Sequence, residues 1–374
     1  MQLSLLQENF TQALSAVSKF TSLKAQLPIL SNILFSTDNG RLKLSATNLE
    51  LGINYWLGAK IDTEGSFTLP SKEITEFISY LPAGKVDLNL NTQQLLEVSS
   101  SKANSTFSTS TPTDFPTLPS LDNSQAIELD YSVLSQAVSQ VAFAAATDDS
   151  RPVLMAVLCT FTPDKLSLVA TDGYRLSLKE INLTEKLSLP GGQESIIFMI
   201  PSRSLLEITK LSKNVKKIKL GASSDLHQLV FVLEDVELVS RLIEGDFPDY
   251  RRIIPSSFAT TVSVNKEEFS QAIKIASVFA RESANVVRFN IKKDSIELSA
   301  NAPQIGQNKA SVDARITGEP LEIAFNYKYV SDYLSIVKGD TVVFELNEPL
   351  TPGYFHEPST TDFTHIIMPV RIQD

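Results

Sequence analysis

The sequence is almost devoid of cysteine and histidine. Its 374 residues include one cysteine, Cys159, and three histidines, His227, His356 and His365. A single cysteine excludes a disulfide within the chain and is typical of a reducing compartment. No histidine lies at metal-ligand spacing from another histidine or from Cys159, so we expect neither a zinc site nor another metal site.

Long apolar runs are also missing, since no stretch approaches the ~18 residues that a membrane-spanning helix needs. The N-terminal segment MQLSLLQENF has no basic leader and no long apolar part, so we expect no export signal. These features predict a cytoplasmic protein without membrane attachment. Cys159 lies inside the apolar run VLCTF, which predicts a buried side chain rather than a reactive thiol.

Positive charge is in deficit, because the formal net charge is −10 at pH 7. Uniform negative charge repels phosphates, which argues against a simple basic nucleic-acid binder. It does not exclude a protein that gathers its cations on one surface. With 43% hydrophobic and 20% charged residues, the composition is that of an ordinary globular protein.

A weak internal repeat is present, with a period of about 125 residues. Each of three copies contains two segments whose apolar residues recur at helical spacing. The six predicted helical segments cover residues 6–20, 71–81, 131–151, 202–217, 265–282 and 326–338. Alternating strand pairs lie between them, and in the first copy Asn39-Gly40 predicts a tight hairpin turn.

The order helix, strands, helix, strands predicts an α+β fold with helices on one face of antiparallel sheets. Polar, turn-rich segments at residues 122–126 and 255–260 separate the copies. We therefore place domain boundaries at 1–124, 125–257 and 258–374.

Asp172, in the segment LVATDGYRLSL, is the most suggestive candidate for catalysis. Its counterparts in the aligned hairpin ends LSATNLE and LSANAPQ are Asn48 and Asn301, which favours a turn residue over a general base. An enzyme that uses Asp172 or Asp246 is the alternative. No paired acid–base residues support it, so we expect no catalysis and no cofactor.

Three cations occupy equivalent places at the start of the second helix of each copy: Lys72, Arg203 and Lys328. The six helical segments are also less acidic than the rest of the chain. A solvated helix face explains each residue singly. Their repetition in an acidic protein favours a common surface for a polyanion.

Several motifs together resemble the bacterial DNA polymerase III β subunits, the sliding clamps. They are LPILSNIL (27–34), TNLEL (47–51), DFPTL (114–118), ATDGYRL (170–176), FPDYRRIIP (247–255) and MPVRI (368–372). The resemblance implies three clamp domains per chain and a head-to-tail, ring-shaped homodimer, with helices lining a channel and antiparallel sheets outside.

The implied function is to encircle duplex DNA without sequence preference and to tether the polymerase, which makes replication processive. The implied partners are DNA, a second copy of the chain, the DNA polymerase III catalytic subunit, the clamp loader and other proteins with a clamp-binding motif. The DNA-facing residues carried over from the family or the repeat are Lys24, Lys72, Arg151, Arg203 and Lys328. A scaffold that binds proteins but no DNA is a further alternative.

The resemblance also implies a pocket for short linear peptides between the second and third domains. Matched position by position, its lining is Leu154, Thr171, Gly173, Tyr174, Arg175, Leu176, Pro248, Arg252, Ile253, Asn326, Tyr329, Leu350, Pro352, Ile366, Met368, Pro369, Val370, Arg371 and Ile372. Tyr174 stands where many relatives have histidine. For the dimer interface, the end of the third copy's first helix offers Val278 and Phe279.

Overall fold

The computed structural model describes residues 1–22, 27–211, 215–223 and 227–371. The elements of the first copy are β1 (Gln2–Leu6), α1 (Gln7–Val17), β2 (Asn32–Asp38), β3 (Arg41–Thr47), β4 (Leu51–Gly58), β5 (Lys60–Thr63), β6 (Ser66–Pro70), α2 (Ser71–Tyr80), β7 (Lys85–Leu90), β8 (Leu95–Ser99) and β9 (Asn104–Ser108).

The second copy contains β10 (Ile127–Asp130), α3 (Tyr131–Val141), β11 (Ala156–Phe161), β12 (Lys165–Thr171), β13 (Arg175–Asn182), β14 (Ile196–Pro201), α4 (Ser202–Leu211), β15 (Lys217–Ala222), β16 (Gln228–Leu233) and β17 (Val236–Arg241). The third contains β18 (Thr260–Asn265), α5 (Lys266–Ala280), β19 (Val286–Ile291), β20 (Ser295–Ala302), β21 (Gly306–Thr317), β22 (Leu321–Asn326), α6 (Tyr327–Ile336), β23 (Thr341–Leu346), β24 (Gly353–His356) and β25 (Phe363–Ile367).

Each copy is built from two halves with the same order, one strand, one helix and three strands, and the first copy has the additional short strand β5 between its halves. The helices are amphipathic; α1, for example, buries Phe10, Ala13, Leu14 and Val17 at helical spacing. No helix of the described residues is long and apolar enough to cross a membrane. The sequence-predicted α+β organisation with antiparallel strand pairing is confirmed.

The described strands form three sheets, ordered β5-β1-β7-β8-β9, β10-β15-β16-β17-β4-β3-β2-β6 and β14-β11-β12-β13-β25-β24-β23-β18-β21-β20-β19-β22. Two antiparallel pairs connect strands of successive copies, β4 with β17 and β13 with β25. We call each such pair a joint. In both joints, one strand ends the first half of a copy and the other ends the second half of the following copy.

The chain divides into two compact units. Unit 1 comprises Met1–Val133, Leu187–Gln193 and Glu207–Leu242, and contains the five- and eight-stranded sheets with the β4–β17 joint. Unit 2 comprises Leu134–Lys186, Glu194–Leu206 and Ile243–Asp374, and contains the twelve-stranded sheet with the β13–β25 joint. The third copy's core in unit 2 is rich in phenylalanine, including Phe269, Phe289 and Phe344.

Two local predictions are confirmed. Asn39 and Gly40 both adopt positive φ, 49° and 75°, as the tight hairpin between β2 and β3 requires. Cys159 is fully buried in β11, and burial raises the pKa of its thiol well above the ordinary value. The thiol therefore stays protonated and unreactive.

The helix predicted over 131–151 was wrong in extent, because α3 ends at Val141 and a short 3₁₀ turn covers Ala142–Ala144. Three consecutive side chains, those of Ala144, Ala145 and Ala146, are buried there. Consecutive residues of an α-helix point in different directions, so one helix face cannot bury all three. In the 202–217 segment the described residues form α4 over Ser202–Leu211, and the helix prediction was wrong at Lys217, which begins β15.

Candidate functional site

The loop between β12 and β13 is held by its own side chains. The Oδ1 atom of Asp172 accepts the N–H groups of Tyr174 and Arg175 at 2.9 and 3.0 Å. Thr171 Oγ1 accepts the Gly173 N–H at 3.0 Å, and Gly173 has φ +91°. Asp172 is therefore the turn-forming residue that the sequence predicts, with its carboxylate bonded to backbone rather than free for proton transfer.

The same turn recurs in the first copy but not in the third. In the first copy Asn48 Oδ1 accepts the N–H groups of Glu50 and Leu51 at 3.0 and 2.8 Å. The prediction of a turn at Asn301 in the third copy was wrong, since Asn301 still lies inside β20 and pairs with Gln307 of β21. The longer β20–β21 hairpin continues past the position where the other copies turn, so its asparagine is a strand residue.

The C-terminal segment runs beside this loop. In the β13–β25 joint, Arg175 pairs with Ile367 and Leu176 with Ile366. Beyond β25 the Met368 N–H donates to the Tyr174 carbonyl at 2.8 Å, and the Val370 N–H donates to the Ala324 carbonyl of β22 at 2.8 Å. The chain end thus joins the second copy's hairpin to the third copy's sheet.

These elements bring distant parts of the predicted peptide lining together within unit 2. Leu176 and Ile366 belong to one buried apolar cluster, and Ile253 packs against it. The sequence did not single out the other members of this cluster, which are Val169, Leu178, Leu158, Phe247, Tyr250, Ile254 and Tyr354. The FPDYRRIIP motif contains three of them, so its aromatic residues were the available signal.

The remaining predicted lining residues differ in accessibility. Tyr174 and Leu350 are each 59% exposed, so both large side chains are accessible to a ligand. Ten further lining residues are exposed or half-buried: Gly173, Pro248, Arg252, Asn326, Tyr329, Pro352, Met368, Pro369, Val370 and Arg371. Leu154 and Thr171 are buried, and Ile372 lies outside the described residues.

Arg175 is the most constrained cation of this region. Its guanidinium donates to Asp172, Asp332 and the Phe143 carbonyl, and it lies over the Tyr329 ring. Burial and, secondarily, the Asp172 carboxylate raise the pKa of Tyr329, so that hydroxyl stays neutral. Asp332 and Phe143 were not predicted, because sequence distances of 157 and 32 residues carry no local signal.

The predicted DNA-facing cations that the structure describes fall into two groups. Lys72, Arg203 and Lys328 are each the exposed second residue of α2, α4 and α6, as the repeat predicts. Arg151 is also exposed, and its Nη2 donates to the Asp172 carbonyl of the hairpin at 3.0 Å. Lys24 lies outside the described residues.

At the predicted dimer contact, Val278 is 52% exposed at the end of α5. Ile275 on the same helix and Ile305 before β21 are also exposed, at 44% and 55%. Phe279 is half-buried and packs against the core of its own copy. The accessible apolar surface therefore centres on Val278 rather than on Phe279.

Family models of the DNA polymerase III beta subunit match almost the whole chain. The N-terminal domain model matches residues 1–119, the central domain model residues 128–249 and the C-terminal domain model residues 251–371. These three matches confirm the sequence-level resemblance and the threefold domain repeat.

Relatives and solved structures agree over the same length. The beta sliding clamp of Staphylococcus aureus is 31% identical over 382 residues, covering 99% of both chains, and that of Staphylococcus epidermidis is 29% identical with the same coverage. The Bacillus subtilis sliding clamp structure superposes with a TM-score of 0.92 at 28% identity, covering 100% of both chains. The Streptococcus pneumoniae beta chain gives 0.93 at 27%, covering 99% of this chain and 100% of that one.

Sequence, fold and domain order thus lead to one assignment: the chain belongs to the DNA polymerase III beta subunit family, the non-catalytic beta sliding clamps of DNA replication.

Proposed function

We propose that two copies of this chain close head to tail into a ring that encircles duplex DNA and tethers the replicative polymerase to its template. The observation that carries the proposal is the repeated joint. Each joint pairs the last strand of a first half with the last strand of a second half, in β4–β17 and β13–β25. The chain has three copies, so two strands of these types are not used in its two joints. They are β9, which ends the second half of the first copy, and β21, which ends the first half of the third copy.

Both strands have an open edge within the described residues. The only named strand with which β9 pairs is β8. The 306–313 part of β21 pairs only with β20, since β18 binds the following residues. Unpaired strand edges are ready templates for pairing with another chain. Joining β21 of each protomer to β9 of the other closes a ring in which all joints are alike.

A ring retains DNA by topology, so its phosphate contacts must be weak enough to permit sliding. Lys72, Arg203 and Lys328 supply one exposed cation per copy, and we assign them to this role together with Lys24 and Arg151. The net charge of −10 limits other contacts with DNA. The working unit of the ring is a chain of domains 1–124, 125–257 and 258–374, acting in the cytoplasm.

Retention on closed DNA tests the proposal. The ring, placed on nicked circular DNA by a clamp loader, is expected to remain bound in about 1 M salt, where phosphate contacts are screened. Cutting the circle once is expected to release it. Gel filtration before and after linearisation measures both results. Dissociation from intact circles in high salt would instead indicate a protein-binding scaffold.

We further propose that the surface around Tyr174, Met368 and Val370 binds short peptides of the DNA polymerase III catalytic subunit, the clamp loader and other proteins with a clamp-binding motif. Exposed apolar side chains beside a few polar groups suit a linear peptide with apolar anchors. Met368, unbranched and half-buried, can adjust to different anchors.

Met368→Ala is expected to weaken peptide binding about 5- to 30-fold without unfolding the protein, because truncation removes about 1–2 kcal/mol of contact. Fluorescence anisotropy with a labelled peptide measures the loss, and circular dichroism checks the fold. Met199→Ala, which truncates a half-buried methionine on β14, is the matched control. Equal affinities for Met368→Ala and the control would contradict the assignment.

A further inference from the structure

All three guanidinium nitrogens of Arg175 donate hydrogen bonds within the protein. Its Nε donates to Asp172 Oδ2 at 3.0 Å, Nη1 to Asp332 Oδ2 at 2.6 Å and Nη2 to the Phe143 carbonyl at 2.7 Å. The Phe143 and Tyr329 ring centroids lie 5.3 and 4.7 Å from its Cζ. These contacts join the hairpin, the 3₁₀ turn that follows α3 and the α6 helix.

This environment separates Arg175 from the other arginines of the candidate peptide site. Its side chain is only 10% exposed, whereas that of Arg252 is 87% exposed. A peptide carboxylate would have to displace Asp172 or Asp332 from a directional, charge-assisted hydrogen bond before reaching Arg175. Such a displacement deprives a carboxylate of its partner, and for Asp172, whose side chain is only 14% exposed, that loss is costly.

We infer that Arg175 is a positioning residue of the peptide site and that Asp332, which is not among the lining residues, acts with it. The pair holds α6, and with it Tyr329, against the hairpin that presents Tyr174. The two tyrosines then form a fixed wall before any peptide arrives. The inference rests on the proposed peptide-binding function and names the contact that shapes its site.

Asp332→Asn is expected to weaken peptide binding about fivefold or more, although this residue need not touch the peptide. The Asp332 side chain is 48% exposed, so the substitution leaves room for water and preserves the fold. Asp332→Glu keeps the carboxylate and is expected to restore affinity to within about twofold of wild type. Arg175→Lys is expected to weaken peptide binding as much as Asp332→Asn does. A single ammonium group cannot reproduce the planar array of N–H donors of the guanidinium.

The probe is a fluorescein-labelled octapeptide that carries Asp-Leu-Phe, compared with the same octapeptide carrying Asn-Leu-Phe. A positioning role predicts that Arg175→Lys weakens both peptides by the same factor. A loss confined to the aspartate peptide would overturn the inference, since Arg175 would then contact the peptide acid directly. Wild-type affinity in Asp332→Asn would also overturn it. Asp340→Asn, at the exposed residue that precedes β23, is the charge-matched control.

Hydrogen–deuterium exchange of the peptide-free protein provides a readout that does not depend on binding. Asp332→Asn is expected to accelerate exchange of residues 171–175 and 327–333 at least severalfold, while the five-stranded sheet of unit 1 stays unchanged. Unchanged exchange in both segments would overturn the inference. Absence of peptide binding by wild type, with exchange accelerated as expected, would instead reject the proposed peptide function and leave the positioning contact supported.

Discussion

Replacing Val278 by aspartate is expected to convert the two-chain ring into single chains at micromolar concentration. Val278 is half exposed at the end of α5, beside the exposed Ile275. The helix packs on β21, the strand with the open edge in unit 2. A carboxylate forced into an apolar contact costs several kcal/mol, and about 3 kcal/mol per contact raises a dissociation constant more than 100-fold.

Sedimentation velocity measures the conversion directly, because the ring and the single chain differ twofold in mass. Gln271→Asp adds the same charge to an exposed position of the same helix and is expected to leave the dimer intact. A Val278→Asp protein that sediments as a dimer would reject this surface as the contact. The same charge at Phe279 is a poorer test, because Phe279 packs into its own core and its loss would also destabilise the third copy.

The sequence was sufficient wherever a structure depends on neighbouring residues. The Asn39-Gly40 turn follows from the positive φ that its hairpin requires. The Asp172 turn follows from a carboxylate that reaches N–H groups two and three residues ahead. Helix spacing likewise predicted the six amphipathic helices, and the repeat predicted the equivalent places of Lys72, Arg203 and Lys328.

Features that depend on contacts between distant segments were not predictable. The end of α3 at Val141 reflects burial of Ala144 to Ala146 by the rest of the fold, which local spacing does not record. The strand position of Asn301 depends on the length of the β20–β21 ladder. Asp332 is bound to Arg175 from another copy, so only the folded chain brings these charges together.

Acidification is expected to destabilise unit 2 through His365, a residue with no role in the sequence-level interpretation. His365 is fully buried in the β13–β25 joint, where its Nδ1 lies 2.8 Å from Ser177 Oγ and its ring stacks on Tyr333. Burial, and to a lesser degree the nearby Arg175, lower the pKa of His365 to about 3. The folded protein therefore keeps this imidazole neutral throughout the physiological range.

The direction of the effect follows from comparing the folded and unfolded states. Below about pH 6.5 the unfolded chain binds a proton at His365 that the folded protein does not accept until about pH 3. The contribution to stability is thus complete above pH 6.5 and falls steadily as the pH decreases towards 3. From pH 7 to pH 5 the free energy of unfolding is expected to drop by about 2 kcal/mol from this group.

Urea titrations at pH 7 and pH 5 measure this loss when far-UV circular dichroism is recorded together with fluorescence of Trp56, the single tryptophan. Trp56 lies in unit 1, so its transition separates the unfolding of that unit from that of unit 2.

In His365→Asn the amide can still bond to Ser177 but does not titrate, so about 2 kcal/mol of the pH dependence should disappear from the unit 2 transition. His227→Asn, at an exposed position, should leave that dependence as it is in wild type. If His365→Asn loses stability between pH 7 and pH 5 as steeply as wild type, the buried imidazole is not the group that makes unit 2 sensitive to acid.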